Sequence, residues 1–179
     1  PPQFRQTHMA HPLTEAVAAR NAHMLDLLLE FQCDVNIHWH DGPGATPLHY
    51  LTQLGAVNCV KVLMRYNADL NMADAFLRRP LDIAALHNEI SIAQLLIEAN
   101  AIFNEPSAHG LKTPIHHAAT KGHHAFVKFL LRLKATPDTL AEEGLTPILS
   151  AAQGQHVLCV KYLIEPGAII DPPGYRITP

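Results

Sequence analysis

The sequence predicts an all-α solenoid, built from five copies of one helix-turn-helix unit and the opening of a sixth. Three observations predict this fold class. A proline recurs at nearly constant spacing, an Asn or Asp follows each proline at a fixed distance, and an apolar run lies between them. Self-similarity at a period of about 20 to 50 residues is the signature of a repeat array, in which stacked units share one continuous core. Abundant alanine and leucine also favour helices.

The prolines set the register of the repeats. They are separated by 35, 33, 34 and 33 residues, and an Asn or Asp follows each after 24 residues. The prolines are Pro12, Pro47, Pro80, Pro114 and Pro147, and the residues that follow them are Asn36, Asn71, Asn104, Asp138 and Asp171. This register predicts one domain with repeats at about 9–41, 44–76, 77–110, 111–143 and 144–175. Thr178 and Pro179 match the start of a truncated sixth repeat.

Each unit is predicted to begin with a short helix. Proline is favoured at the first position of a helix, where its missing N–H costs nothing. Thr46, Thr113 and Thr146 precede it as good N-cap residues. His11 and Arg79 take that place in the first and third units and are poorer caps. The first helices are therefore expected to start at the repeated prolines.

A turn and a second helix follow in each unit. Gly55 and Gly122 adopt the left-handed backbone of such a turn readily, and Asn88 tolerates it. Arg20 and Gln155 occupy the same position less comfortably. Apolar residues at three- and four-residue spacing then predict the second helix, as in VKVLMR. The equivalent core leucines of three second helices are Leu63, Leu96 and Leu130.

The segment TPLHYLTQLGAVNCVKVLMRYNADLN, residues 46–71, resembles the ankyrin repeat almost from end to end. The resemblance covers the chain from about Met9. It implies structural roles for the histidine of the TPLH motif and for the histidine after the turn glycine. The first unit lacks the threonine and histidine of the motif, and the fifth has Leu149 in place of the histidine. The histidines with implied structural roles are His49, His116, His123 and His156.

Composition excludes several classes of function. The net charge of -3 argues against a duplex nucleic-acid binder, and no run of 18 apolar residues predicts a membrane span. Cys33, Cys59 and Cys159 lie far apart in apolar contexts, which indicates buried thiols in a reducing intracellular compartment. We expect the cytoplasm, with the nucleus as the alternative.

Catalytic motifs are missing from the sequence. It contains no GxSxG, HExxH, Walker A or paired-carboxylate arrangement, and GPGATP lacks the third glycine of a dinucleotide loop. The glycine-rich segment is interpreted as a turn. The sequence therefore predicts neither an enzyme nor a cofactor.

Two histidine pairs are candidates for a metal site. His38 and His40 would point the same way in an extended loop, and His117 and His124 are the non-consensus histidines of TPIHHAATKGHH. A zinc site needs three or four converging ligands. Each pair is therefore interpreted as polar surface, and no metal site is predicted.

The concave face and the loop tips are the expected binding surface, because the resemblance implies recognition there. Trp39 and Phe76 are aromatic where such loops are normally polar, although either ring could instead pack on neighbouring helices. Residues 106–137 contain no acidic residue, so this basic block would steer an acidic segment of a partner. The predicted partner-binding residues are Trp39, His40, Gln53, Phe76, Arg78, His87, Lys112, His117 and Lys121.

The predicted function is non-catalytic protein–protein recognition by an interaction module or adaptor. Two alternatives stay open. NCVKVLM and LCVKYLIE resemble repeats of SOCS-box ubiquitin-ligase receptors, which would make the chain a substrate receptor. The array could also be the regulatory domain of a larger enzyme or channel. The residues beyond Pro179 would separate these alternatives.

Two loop asparagines are candidate modification sites. They resemble the targets of 2-oxoglutarate-dependent asparaginyl hydroxylases, which follow an acidic residue by two positions and a leucine by eight. Asn36 and Asn71 fit this pattern, whereas Asn104 has Ile102 in the place of the acid. The alternative is that these asparagines only form the loop turn by hydrogen-bonding nearby backbone groups.

Overall fold

The computed structural model describes residues 12–39, 44–106 and 112–165, and these residues form the predicted all-α repeat array. A short first helix and a second helix alternate along the chain. None of these helices is long and apolar enough to cross a bilayer. The helices of the described residues are α1 (Pro12–Ala18), α2 (Ala22–Glu30), α3 (Pro47–Gln53), α4 (Val57–Arg65), α5 (Pro80–His87), α6 (Ile90–Glu98), α7 (Pro114–Thr120), α8 (His124–Arg132), α9 (Pro147–Gln153) and α10 (Val157–Ile164), with a 3₁₀ turn at Glu142–Gly144 before α9.

The first helices begin at the predicted prolines, but the third repeat is capped in its own way. Arg79 lacks the side-chain acceptor of a good N-cap. Asp82 compensates, since its Oδ2 accepts a hydrogen bond from the Arg79 N–H at 2.9 Å. A carboxylate in this position also interacts favourably with the positive end of the helix dipole. The aspartate takes the place that histidine has in the second and fourth repeats.

The predicted left-handed turn occurs in every repeat. Its central residue has φ between 52° and 73° in all five units, including the two that lack Gly and Asn. Glycine is required most strictly at Gly122, because a Cβ there would lie 2.5 Å from Nδ1 of His156. The five turn residues are Arg20, Gly55, Asn88, Gly122 and Gln155.

The core runs continuously between the two helix layers. Each first helix packs against the first helix of the next repeat, and each second helix packs on the first helix of its own repeat. Leu63, Leu96 and Leu130 are fully buried at equivalent positions, as predicted. Such stacking gives each repeat most of its stability through its neighbours.

The second helix of the first repeat, α2, exposes apolar residues. Met24, Leu27 and Phe31 of α2 are 43, 44 and 77% exposed. In later repeats the preceding unit covers the position of Met24. The residues at that position are Cys59, Ile92, Phe126 and Cys159, and all are buried. These three α2 side chains therefore lie on the side that a preceding repeat would cover, and nothing in the described residues covers them.

Candidate functional site

The histidines of the TPLH motif join consecutive repeats. Nδ1 of His49 accepts the Thr46 N–H at 3.2 Å, and Nε2 donates to the Arg78 carbonyl of the next repeat at 2.9 Å. His116 makes the same pair of bonds, with 3.0 Å between its Nε2 and the Leu145 carbonyl. An Nδ1 that accepts a backbone N–H carries no proton, so both rings are neutral with the proton on Nε2. The implied structural role of these histidines is confirmed.

The histidines after the turn join repeats in the opposite direction. Nε2 of His123 lies 3.0 Å from the Leu86 carbonyl, and Nε2 of His156 lies 3.1 Å from the Thr120 carbonyl. Both carbonyls belong to the preceding repeat. His116 and His123, two of the four histidines in TPIHHAATKGHH, are thus structural, as predicted.

The described histidines of the two candidate metal pairs have different contacts. Nδ1 of His38 lies 2.7 Å from the Gly44 carbonyl, while His40 is outside the described residues. The ring of His124 stacks on Tyr162, with 6.3 Å between centroids. Among residues 12–39, 44–106 and 112–165, no three His, Cys, Asp or Glu side chains are grouped as metal ligands.

The loop asparagines form a ladder along the array. Oδ1 of Asn36 accepts the N–H of Asp69 in the next loop, and Oδ1 of Asn71 accepts the N–H of Ile102, both at 2.9 Å. Asn104 continues the series at 3.3 Å to the Thr136 N–H. Each of these side chains therefore bridges to the following repeat. Hydroxylation of Asn36 or Asn71 stays a prediction.

Asn71→Ala should lower the free energy of unfolding by about 0.5–1.5 kcal/mol, because it removes the acceptor of a bond between two repeats. The Ile102 N–H can then still reach water, since that residue is 37% exposed. Urea denaturation followed by circular dichroism measures the change. Asn58→Ala on the exposed side of α4 is the control. Equal stability of both variants would contradict a role for the ladder.

The predicted binding residues lie along the first helices and the loops that precede them. Gln53 is exposed in the last turn of α3, and His87 is exposed at the end of α5. Lys121 is exposed at the end of α7, and Lys112 is half-buried just before it. These residues belong to the second, third and fourth repeats.

The two loop aromatic residues differ in exposure. Phe76 is 64% exposed. Trp39 is half-buried, and its ring lies edge-to-face against Tyr50 with 5.6 Å between centroids. Trp39 therefore follows the alternative prediction, in which the ring packs on a neighbouring helix. The expected exposed aromatic rim is therefore found only at Phe76.

The hairpin before α5 is built around Asp74, which the sequence analysis missed. This buried carboxylate accepts the N–H groups of Phe76 and Arg78 at 2.9 Å each. It also accepts Nε and Nη2 of Arg78 at 2.9 and 2.6 Å. The fixed guanidinium lies 4.7 Å from the centroid of the Phe76 ring. Asp74 thus holds an exposed aromatic and a cation in one arrangement.

His117 lies deeper than predicted. Its side chain is 15% exposed, and its Nε2 is 4.0 Å from Oδ1 of Asp82 on α5. Burial, reinforced by the charge of Lys112, lowers the pKa of His117 to about 4, so the ring is neutral at pH 7. The first-helix position that it occupies packs against the neighbouring helix. His117 therefore supports the wall of the surface and offers little area to a partner.

The pKa of His87 depends on the charged side chains around it. Burial lowers its pKa, and the nearby charges of Arg78 and Lys121 lower it further, against the opposing effect of Glu89. Arg78 also lowers the pKa of the neighbouring His117. The positive charge of Arg78 therefore lowers the pKa of both histidines, which lie on α5 and α7.

Residues 13–108 and 99–173 match the family model for ankyrin repeats, a unit of three copies. The chain belongs to the ankyrin-repeat family. Ankyrin-repeat domains are generally non-catalytic modules of protein–protein interaction. The ladder of asparagines and the histidine bridges described above therefore form the scaffold of such a module.

Known ankyrin-repeat proteins cover most of the chain. The human transient receptor potential cation channel subfamily A member 1 is 30% identical over 128 residues, which are 70% of this chain and 11% of the channel. Human ankyrin repeat and SOCS box protein 16 is 26% identical over 133 residues, 70% of this chain and 29% of that protein. The crystal structure of the human ASB11 ankyrin repeat domain is similar with a TM-score of 0.78 and 30% identity, over 90% of this chain and 71% of that one. The chain thus spans less than a third of either curated relative.

Proposed function

We propose that the concave side of the second to fourth repeats binds an acidic segment of another protein. The observation that carries this proposal is the Asp74 hairpin, which presents the exposed Phe76 ring with Arg78 against its face. Aromatic and arginine side chains are enriched among the residues that dominate binding energies. A hairpin held by six hydrogen bonds that involve Asp74 loses little entropy when a partner arrives.

Charge favours an acidic partner. Lys112 and Lys121 flank α7, and no acidic residue occurs between positions 106 and 137. A cluster of one sign of charge accelerates encounter with the opposite sign, and salt screens the effect over about 10 Å. The expected role of the cationic side chains is therefore to steer the partner toward Phe76.

The other predicted residues have lesser roles. Gln53 and His87 are exposed and would hydrogen-bond the partner, whereas Trp39 could offer only part of its ring. His117 would act by supporting α7. We place this interaction in the cytoplasm on the strength of three free cysteines, two of them buried, which suit a reducing compartment.

Peptides selected from a random display library on the immobilised 179-residue chain test the proposal. The double variant Lys112→Glu and Lys121→Glu should slow their association about tenfold at low salt, and less at high salt, because it reverses the steering charge. Stopped-flow fluorescence at two salt concentrations measures the rate.

The control is the double variant Lys61→Glu and Lys161→Glu, which makes the same change in net charge on the exposed sides of α4 and α10. It should leave the association rate nearly unchanged. Equal effects of the two double variants would mean that net charge alone acts. Selected peptides that lack acidic residues would also contradict the proposal.

A second candidate function follows from the relatives. One is a cation channel and another carries a SOCS box in its name. The array could accordingly serve as the substrate-binding part of a SOCS-box-type ubiquitin-ligase receptor, or as the regulatory domain of a larger enzyme or channel. The sequence of the full-length transcript would separate these roles from that of a free adaptor.

A further inference from the structure

Leu77 occupies a position that has glycine in two other repeats. Its φ is +58°, and the residues at the same place, three before the proline of the next helix, are Gly44 with φ +59° and Gly144 with φ +73°. A left-handed backbone brings Cβ close to the following carbonyl oxygen, so glycine is favoured and leucine is strained. The fourth repeat has Leu111 at this place in the sequence, so glycine is not obligatory there, but glycine adopts the left-handed backbone of Leu77 more readily than leucine does.

Packing does not explain this leucine. Leu77 is 48% exposed, and its neighbour Phe76 is 64% exposed. Glycine is compatible with the hairpin, because the loop before α9 makes the equivalent backbone hydrogen bond with glycine at this place. There the Gly144 N–H reaches the Ala141 carbonyl at 3.2 Å, as the Leu77 N–H reaches the Asp74 carbonyl at 2.8 Å. A strained backbone at a residue outside the buried core is typical of a functional position.

We infer that Phe76 and Leu77 form a preformed apolar anchor for a protein segment that carries an apolar side chain next to carboxylates. The inference rests on the proposed function and specifies its partner. Asp74 fixes the backbone on both sides of the tip through the N–H groups of Phe76 and Arg78. The two exposed apolar side chains are thus displayed together without a conformational search.

The cations around the tip determine what should flank the apolar group. Arg78 lies against the Phe76 ring, and the Arg79 guanidinium lies 3.3 Å from the Glu105 carbonyl beside the hairpin. Lys112 is close enough to lower the pKa of His117 on the adjoining helix. An aliphatic or aromatic side chain would pack on the tip, and neighbouring carboxylates would pair with these cations.

Leu77→Gly separates binding from folding. In this variant the melting temperature should stay the same or rise, because glycine relieves the left-handed strain. The affinity for the library peptides should nevertheless fall at least about tenfold, since the apolar contact is lost. Gly144→Leu is the matched control, because it places a leucine at the same point of the sister hairpin. It should lower the melting temperature and leave the affinity unchanged.

Fluorescence polarisation with the selected peptides and differential scanning calorimetry measure the two quantities. The inference is supported if the selected peptides are rich in apolar and acidic residues, and if Leu77→Gly weakens their binding while Gly144→Leu does not. If the double variant Lys112→Glu and Lys121→Glu weakens peptide binding but Leu77→Gly does not, the inference is wrong and the proposed function is retained. A library without binders, or peptides that ignore all of these variants, would reject the proposed function itself.

Discussion

Leu96→Ala should lower the free energy of unfolding by about 2–5 kcal/mol, the range for truncating a leucine inside a close-packed core. Leu96 lies on α6 in the third of the five repeats and is fully buried. Repeats on both sides hold the surrounding side chains in place, so the site cannot collapse to fill the cavity. Because each repeat is stabilised through its neighbours, the loss should extend beyond α6.

Chemical denaturation measures the total loss, and hydrogen exchange locates it. Amide protection should fall in α4 and α5 as well as in α6, because both of these helices pack against α6. Ser91→Ala, on the exposed side of the same helix, serves as the control and should change the stability by no more than about 0.5 kcal/mol. If Leu96→Ala left thermal unfolding unchanged, the assigned register of the third repeat would be wrong.

The backbone of this fold could be predicted because its determinants are local. Proline at a helix start and a left-handed turn residue act within a few positions, and their recurrence aligned the repeats. The turn held even at Arg20 and Gln155, which have the same left-handed backbone as Gly122. At these two positions stacking outweighs a local preference, since all five repeats must keep the same angle between their helices to share a core.

Side-chain placement between repeats was harder to predict. Trp39 and Phe76 look alike in sequence as loop aromatics, yet one packs on Tyr50 and the other is exposed. Asn71 was expected to bond within its own loop, but its acceptor reaches Ile102. Such contacts join residues of neighbouring repeats, so they depend on how these units are stacked and not on local sequence.

Part of the candidate site nevertheless had a usable signal. Aligning the residues before each repeated proline places Leu77 and Leu111 opposite Gly44 and Gly144, a difference between repeats that can be read without coordinates. The carboxylate of Asp74 had only a partial signal, because the equivalent residue is Asp41 before the second repeat but Ala141 before the fifth. The basic residues were recognised as a block. Their grouping around the hairpin became visible only once α5 and α7 were packed together.

Acid should destabilise this protein well above the pH at which most carboxylates titrate. His116 and His117 are adjacent on α7, and burial lowers the pKa of each to about 4 from the ordinary value of about 6.5. His116 shows the structural reason. Protonation would place a hydrogen on Nδ1, which now accepts the Thr113 N–H and lies 2.9 Å from the Thr113 hydroxyl.

The sign of the effect follows from these two pKa values. Between pH 6.5 and about 4 the unfolded chain binds more protons than the folded chain, so stability falls as the pH falls through this window. The stabilisation linked to these unprotonated histidines is fully present above pH 6.5, and its loss levels off below about pH 4. A shift of this size corresponds to about 3 kcal/mol for each histidine. His49, whose pKa burial also lowers, acts in the same direction.

His117→Gln tests this account, because it removes one of the two groups while keeping a polar side chain that can face Asp82. The free energy of unfolding, measured by urea denaturation from pH 7 to 5, should decline less steeply in the variant, by about 1 kcal/mol per pH unit. His23→Gln, on an exposed position of α2, should follow the unmodified chain. A decline that His117→Gln does not reduce would place the acid sensitivity elsewhere. His117 would then be free to take a proton in the folded state, and the packing of α7 against α5 would be looser than its contact with Asp82 implies.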